Sequence, residues 1–143
     1  MAITQAVCNS FKQELMQEEH DLDNDTFKIA LFTSSATLGA GTTAYAVTNE
    51  VSSTGGTGYT AGGKTLALAA GPALSGSTAL VDWDDVAWTS SSFTARGALI
   101  YNSTNSNKAV LVLDFGADQT IASGALTVAF PTADASNAIL RIS

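Results

Sequence analysis

Phe93-Thr94-Ala95-Arg96-Gly97-Ala98-Leu99-Ile100-Tyr101 is the stretch on which the fold class turns. Ala95, Gly97, Leu99 and Tyr101 fall on one side of an extended chain, with Arg96, Ala98 and Ile100 on the other. That period of two belongs to a strand, because successive side chains of extended backbone point to opposite faces. Working outward, residues 26–32 place Phe27, Ile29 and Leu31 together, 125–130 place Leu126, Val128 and Phe130 together, and 138–142 close with Leu140 and Ile142. Further strands are expected at 44–48, 64–69, 79–83, 85–88 and 108–115. Gly71-Pro72, Ser75-Gly76, Ser90-Ser91-Ser92, residues 102–107 and Ser123-Gly124 read as the turns between them. Many short strands and a single helical segment predict an all-β domain, an antiparallel sandwich, jelly roll or barrel.

The helical segment is the N-terminus. Ile3, Val7, Phe11 and Leu15 recur at i+4, with Ala6 and Cys8 beside the stripe, so residues 1–19 are expected to form an amphipathic helix. The polar run His20-Asp21-Leu22-Asp23-Asn24-Asp25 ends it. The expected organisation is one domain over 1–143, with helix and acidic turn in 1–25 and the β domain in 26–143. At this length a chain buries roughly 70% of the surface it exposes when unfolded.

Charge is distributed unevenly. Seven of the 19 Asp, Glu, Lys and Arg side chains lie in the first 25 residues, whereas 26–81 hold only Lys28, Glu50 and Lys64. The net charge is −7, and the six basic residues are scattered singly, which argues against a phosphate-binding face and so against nucleic acid as a partner. Apolar runs such as 109–113 reach five residues, far short of the ~20 that a spanning helix needs. No membrane partner is expected, and no signal peptide is read at the N-terminus. The lone Cys8 excludes an internal disulfide.

Residues 33–63 form a long segment with one charge, Glu50, and two aromatics, Tyr45 and Tyr59. One reading is an extra hairpin around Tyr45 with glycine-rich turns; the other is an extended arm whose tyrosines anchor it on a partner. The same segment runs into a literal phosphate-loop pattern, Gly58-Tyr59-Thr60-Ala61-Gly62-Gly63-Lys64-Thr65. Such a loop needs a buried strand before it and a long helix after it, whose N–H groups and dipole face the phosphates. Here 51–57 hold a single apolar side chain and Gly71-Pro72 follows within two turns, so a glycine-rich turn entering a strand is expected instead.

Other constellations fall short of chemistry. Asp21, Asp23 and Asp25 begin like a calcium loop, but Thr26 stands at the sharp-turn glycine and Phe32 at the bidentate acid. A looser site there, or at Asp82, Asp84 and Asp85, competes with solvated acidic turns. On a continuous helix Cys8 and His20 would sit ~18 Å apart, which excludes a nucleophile–base pair and leaves His20 as a cation at the helix end. Trp83 and Trp88 flanking Asp84-Asp85 offer a sugar-stacking platform or, more commonly, core tryptophans. Asn102-Ser103-Thr104 is a formal glycosylation acceptor without secretory context. No catalytic, cofactor or metal residues are assigned.

Phe27-Lys28-Ile29-Ala30-Leu31-Phe32-Thr33-Ser34, the 50–63 stretch, Ala95-Arg96-Gly97-Ala98-Leu99-Ile100-Tyr101-Asn102 and Phe130-Pro131-Thr132-Ala133-Asp134-Ala135 carry a resemblance. With the opening Asn9-Ser10-Phe11-Lys12-Gln13-Glu14-Leu15, they are similar over nearly the whole length to small structural proteins of tailed bacteriophages and prophages. Size, acidity and β content are most similar to capsid cement (decoration) proteins. The resemblance implies a non-enzymatic protein on the capsid surface of the virion, made in the host bacterial cytoplasm. It implies a homodimer or homotrimer that clamps the major capsid protein. A tail, neck or fibre component and a carbohydrate-binding adhesin module are the alternatives. Tyr45 and Tyr59 on the arm, and Ile3, Val7, Phe11 and Leu15 on the helix stripe, are the candidate contact residues, although such a stripe ordinarily packs on its own domain.

Overall fold

The computed structural model describes residues 2–143. Strands take 49% of the chain and helix 6%, arranged as two antiparallel sheets packed into a sandwich-like domain with one short N-terminal helix. The larger sheet has the order β1-β7-β6-β2-β3 and the smaller β4-β5-β8. The strands are β1 (Ala6–Val7), β2 (Phe27–Phe32), β3 (Lys64–Thr65), β4 (Leu68–Ser75), β5 (Thr78–Trp83), β6 (Val86–Asn102), β7 (Lys108–Val128) and β8 (Leu140–Ile142), with α1 at Asn9–Met16.

The frame is the β6–β7 hairpin with β2 beside it. Lys108 N–H donates to Asn105 O, and Ser106 and Asn107 both take positive φ, the mirror-image turn whose twist suits a hairpin. Directly opposed residues share a face, so Phe27, Ile29 and Leu31 lie with Asn102, Ile100 and Ala98, and Lys28, Ala30 and Phe32 with Tyr101, Leu99 and Gly97. Both faces are covered. Trp83 of β5 meets Phe27 at 5.7 Å on the first, and Tyr45 meets Phe32 at 6.4 Å and stacks on Tyr101 at 4.5 Å on the second. Burial on both sides explains why β2 reads as a nearly continuous apolar run.

Three of the expected turns are irregularities inside strands. Ser90-Ser91-Ser92 and Ser123-Gly124 sit where the β6–β7 register slips, and Gly71-Pro72, joined by a cis peptide bond, lies within β4 at another slip. Ala95 pairs with Gln119 and Gly97 with Asp114, so β7 carries three extra residues there and bends. Segments 93–101 and 125–130 are thereby parts of two strands much longer than their patterns suggest.

The N-terminal helix is also corrected. Only Asn9–Met16 are helical; Ala6–Val7 pair with Val112 and Leu111 of β7, and Ile3 bridges to Leu38. Met1, included in the expected helix, lies outside the described residues. The i+4 pattern at Ile3 and Val7 is overridden because the β7 edge offers backbone partners that an isolated two-turn extension cannot match. The helix stops at Glu18, whose φ of 62° is left-handed.

Candidate interaction surfaces

The arm 33–63 is fastened to its own sheet by its single charge. Glu50 accepts hydrogen bonds from Tyr59 Oη at 2.6 Å, Tyr45 Oη at 2.7 Å and Gly62 N–H at 2.7 Å. Tyr59 Oη in turn accepts from Leu31 N–H at 2.8 Å, and Tyr101 Oη donates to Gly62 O at 2.6 Å. The cluster closes over β2, where Val51 N–H donates to Leu31 O and Thr33 N–H to Asn49 O. Burial, reinforced by the Glu50 bond, raises the pKa of Tyr59 and Tyr45 well above the usual phenol range, and burial pushes Tyr101 up to about 12. Tyr59 is 3% exposed and packs on Trp88 and Phe93; Tyr45 is half-buried. Both proposed anchors are thus spent inside the domain. Segment 44–48 contributes one bridge, Ala44 to Lys108, rather than a strand.

The expected helix stripe is divided. Phe11 is 2% exposed and Cys8 fully buried, whereas Ile3, Val7 and Leu15 are half-buried against the core. Ile3 fills the space above Gly97, where any Cβ would stand 2.5 Å from Leu113 O and 2.9 Å from the Ile3 side chain. None of the four presents a free apolar face.

His20 is buried and is no helix-end cation. After Glu18 the chain doubles back, so His20 Nε2 lies 3.1 Å from Glu14 Oε2 and Nδ1 lies 3.1 Å from Asn102 Nδ2. The orientation of Asn102 is fixed: its Oδ1 accepts from Thr104 and Asn105 N–H, and its Nδ2 donates to Asp25 Oδ2 at 2.7 Å. With an N–H pointing at it, Nδ1 must be the bare acceptor and Nε2 the donor. Burial lowers the His20 pKa, with the Glu14 bond opposing. Glu19 accepts from Asn105 and Lys108, tying the acidic turn to the β6–β7 turn. Asn102 is fully buried, so it presents no glycosylation acceptor at the surface.

The phosphate-loop pattern is an edge turn. Lys64-Thr65 form β3 against β2, with no helix after them, and Lys64 Nζ donates to Ala87 O while standing 5.6 Å over Trp88. Gly63 takes a φ of 77° and lies so close to β2 that an added Cβ would fall 1.8 Å from Ile29 O. Trp83 and Trp88 are 2% and 1% exposed, so neither offers a sugar platform. Asp21 caps the turn by accepting from Asp23 and Asn24 N–H, and Asp85 accepts from Phe130 N–H. Asp82 Oδ1 is buried without a partner, and burial, more than Asp85 and Asp84, raises its carboxyl pKa. Among the described residues no three His, Cys, Asp or Glu side chains gather as a cation site. No helix among them is long and apolar enough to cross a membrane.

Glu50, His20, Lys64 and the three tyrosines are engaged in holding the fold. Burial, with Glu14 adding, pushes the Cys8 thiol up to about 11, far from a thiolate nucleophile. A lone carboxylate between two tyrosines in an otherwise uncharged segment is the sequence signal that could have revealed the Glu50 cluster. Comparison with known proteins finds no matching family model, no similar curated protein and no similar solved structure.

Proposed function

We propose that this protein is a structural component of a tailed-phage particle, a homo-oligomeric cement protein that decorates the capsid and stabilises it by bridging neighbouring major capsid subunits. The observation that carries the reading is the use of reactive side chains for internal contacts: His20, Cys8, Glu50 and the tyrosines serve the interior, and exposed Lys64 bonds back to Ala87 O. A rigid β scaffold remains, with a surface of small uncharged residues suited to touching protein. The resemblance to small phage structural proteins supplies the context.

The mechanism is additive burial. A seam between subunits opens only by re-exposing the area that each copy covers, at roughly 25 cal/mol per Å² of apolar surface. Particle symmetry then repeats a modest contact over the whole shell. The net charge of −7 keeps decorated particles from sticking to one another. The second reading is a tail, neck or fibre component, which shares the resemblance. Quantitative mass spectrometry of purified virions tests both. On the order of hundreds of copies per particle marks a shell protein, and about a dozen marks the tail. Absence from virions defeats both.

A further inference from the structure

Open sheet edges invite other strands, and natural proteins guard them with charge, proline, bulges or brevity. In this fold β3 is two residues long and carries Lys64, and β1 is two residues long and leads straight into α1. Pro72 and two register slips interrupt β4, and β8 is three residues with Arg141 at its centre. Over residues 86–95, the side of β6 away from β7 is met by the arm and by β3: Ser92 N–H donates to Thr57 O, and Lys64 Nζ to Ala87 O.

The distal half of β7 is the exception. Its β1 partner reaches only Val112 and Leu111, and Gln5 Oε1 caps the Asp114 N–H. Beyond that, residues 119–127, Gln119-Thr120-Ile121-Ala122-Ser123-Gly124-Ala125-Leu126-Thr127, pair with β6 on one side only. Among the described residues no other strand or loop backbone bonds to them. The run contains neither charge nor proline, in a chain of net charge −7. Its one bulge turns the Ser123 N–H inward to Ser92 Oγ, and the Asp118 that precedes it is neutralised by Arg96 at 3.2 Å. At ~3.4 Å per residue this edge is about 30 Å long, more than a usual strand of five or six residues.

We propose that residues 119–127 of β7 form a two-fold interface, where they pair antiparallel with the same residues of a second copy and join the two large sheets into one. An antiparallel strand is complementary to itself about a two-fold axis, since each copy supplies the donors and acceptors that the other lacks. Charge singles out this edge as the meeting place of two copies: each carries a net charge of −7, and here their backbones approach without a local like-charge pair. The inference sharpens the proposed function, on which it rests for the expectation that copies associate.

The test is sedimentation equilibrium of the full chain with the Ala122→Lys/Ala125→Lys variant, both positions being exposed. Hydrogen exchange of the wild type at low and high protein concentration accompanies it. The expected result is a wild-type mass twice 14.6 kDa, a variant mass of 14.6 kDa with an unchanged circular-dichroism spectrum, and concentration-dependent protection confined to 119–127. A monomeric wild type, a variant that remains dimeric, or protection mapping to another strand overturns the interface. If the variant misfolds, the exchange map decides alone. A monomer still found in virions would remove the interface and leave the phage reading, whereas a dimer absent from virions would do the reverse.

Discussion

Replacing Glu50 by Ala strips acceptors from three donors at once: Tyr59 Oη, Tyr45 Oη and Gly62 N–H. A buried donor left unpaired costs about 1–3 kcal/mol. Tyr59 and Gly62 are buried and bear that cost in full, while half-buried Tyr45 turns to water. The expected loss is therefore about 2–6 kcal/mol, a large share of the roughly 5–15 kcal/mol that holds a domain folded. With a urea m-value of about 2 kcal/mol/M, the unfolding midpoint falls by roughly 1–3 M. Glu50→Gln is the control. Its carbonyl still accepts from Tyr59 and Gly62 and its amide donates to Tyr45 Oη, so only the charge assistance is lost, about 1 kcal/mol. Tyr59→Phe orphans the Leu31 N–H, and a double-mutant cycle with Glu50→Gln should show coupling. The reasoning fails if Glu50→Ala moves the midpoint by less than about 0.5 M at unchanged m, or if Ala and Gln behave alike.

His20 is the chain's sole histidine, and its folded pKa lies below the unfolded value near 6.5, so the folded state binds fewer protons. Its contribution should be complete above pH about 6.5 and fade as pH falls through the folded pKa, which urea midpoints between pH 7.5 and 5 will register and a His20→Gln variant will not. Gly63→Ala, forced against Ile29 O at positive φ, should cost more than about 3 kcal/mol in thermal or urea unfolding. Gly41→Ala, with nothing within 4 Å, should stay within about 0.5 kcal/mol. Cys8 should resist a thiol reagent in the native protein and react only at the rate of unfolding, as a timed absorbance assay would record. The buried tyrosines favour their neutral form, so stability should fall as pH rises above about 10, followed by tyrosinate absorbance against circular dichroism.

The strands legible in the sequence were those whose burial differs between faces or is complete. Phe27–Phe32 and Thr78–Trp83 were readable because apolar side chains fill them, and the centre of β6 because its alternation is regular. What escaped was set by distant partners. Serine triplets and Ser-Gly pairs are chemically the same in a turn and in a bulge, and only the facing strand decides between them, as at Ser91 and Gly124. Val7 reads equally well on a helix or a strand, and Leu111, more than a hundred residues away, made the choice. From sequence the arm tyrosines are assigned to a partner, whereas both donate to Glu50 of their own segment, a contact that spacing alone does not reveal. His20 reads as a helix-end cation only on a helix running to residue 19; the left-handed turn at Glu18 instead brings it to Glu14 and Asn102.

The first and last strands close different sheets: Ala6–Val7 edge the large one through β7, and Leu140–Ile142 edge the small one through β5. Neither layer is complete until segments remote in sequence have met, which places this protein among slow, topology-limited folders. Until residues 140–142 pair with it, β5 keeps an open backbone edge over Ala79, Leu80 and Val81, the kind of edge that recruits strands from other chains.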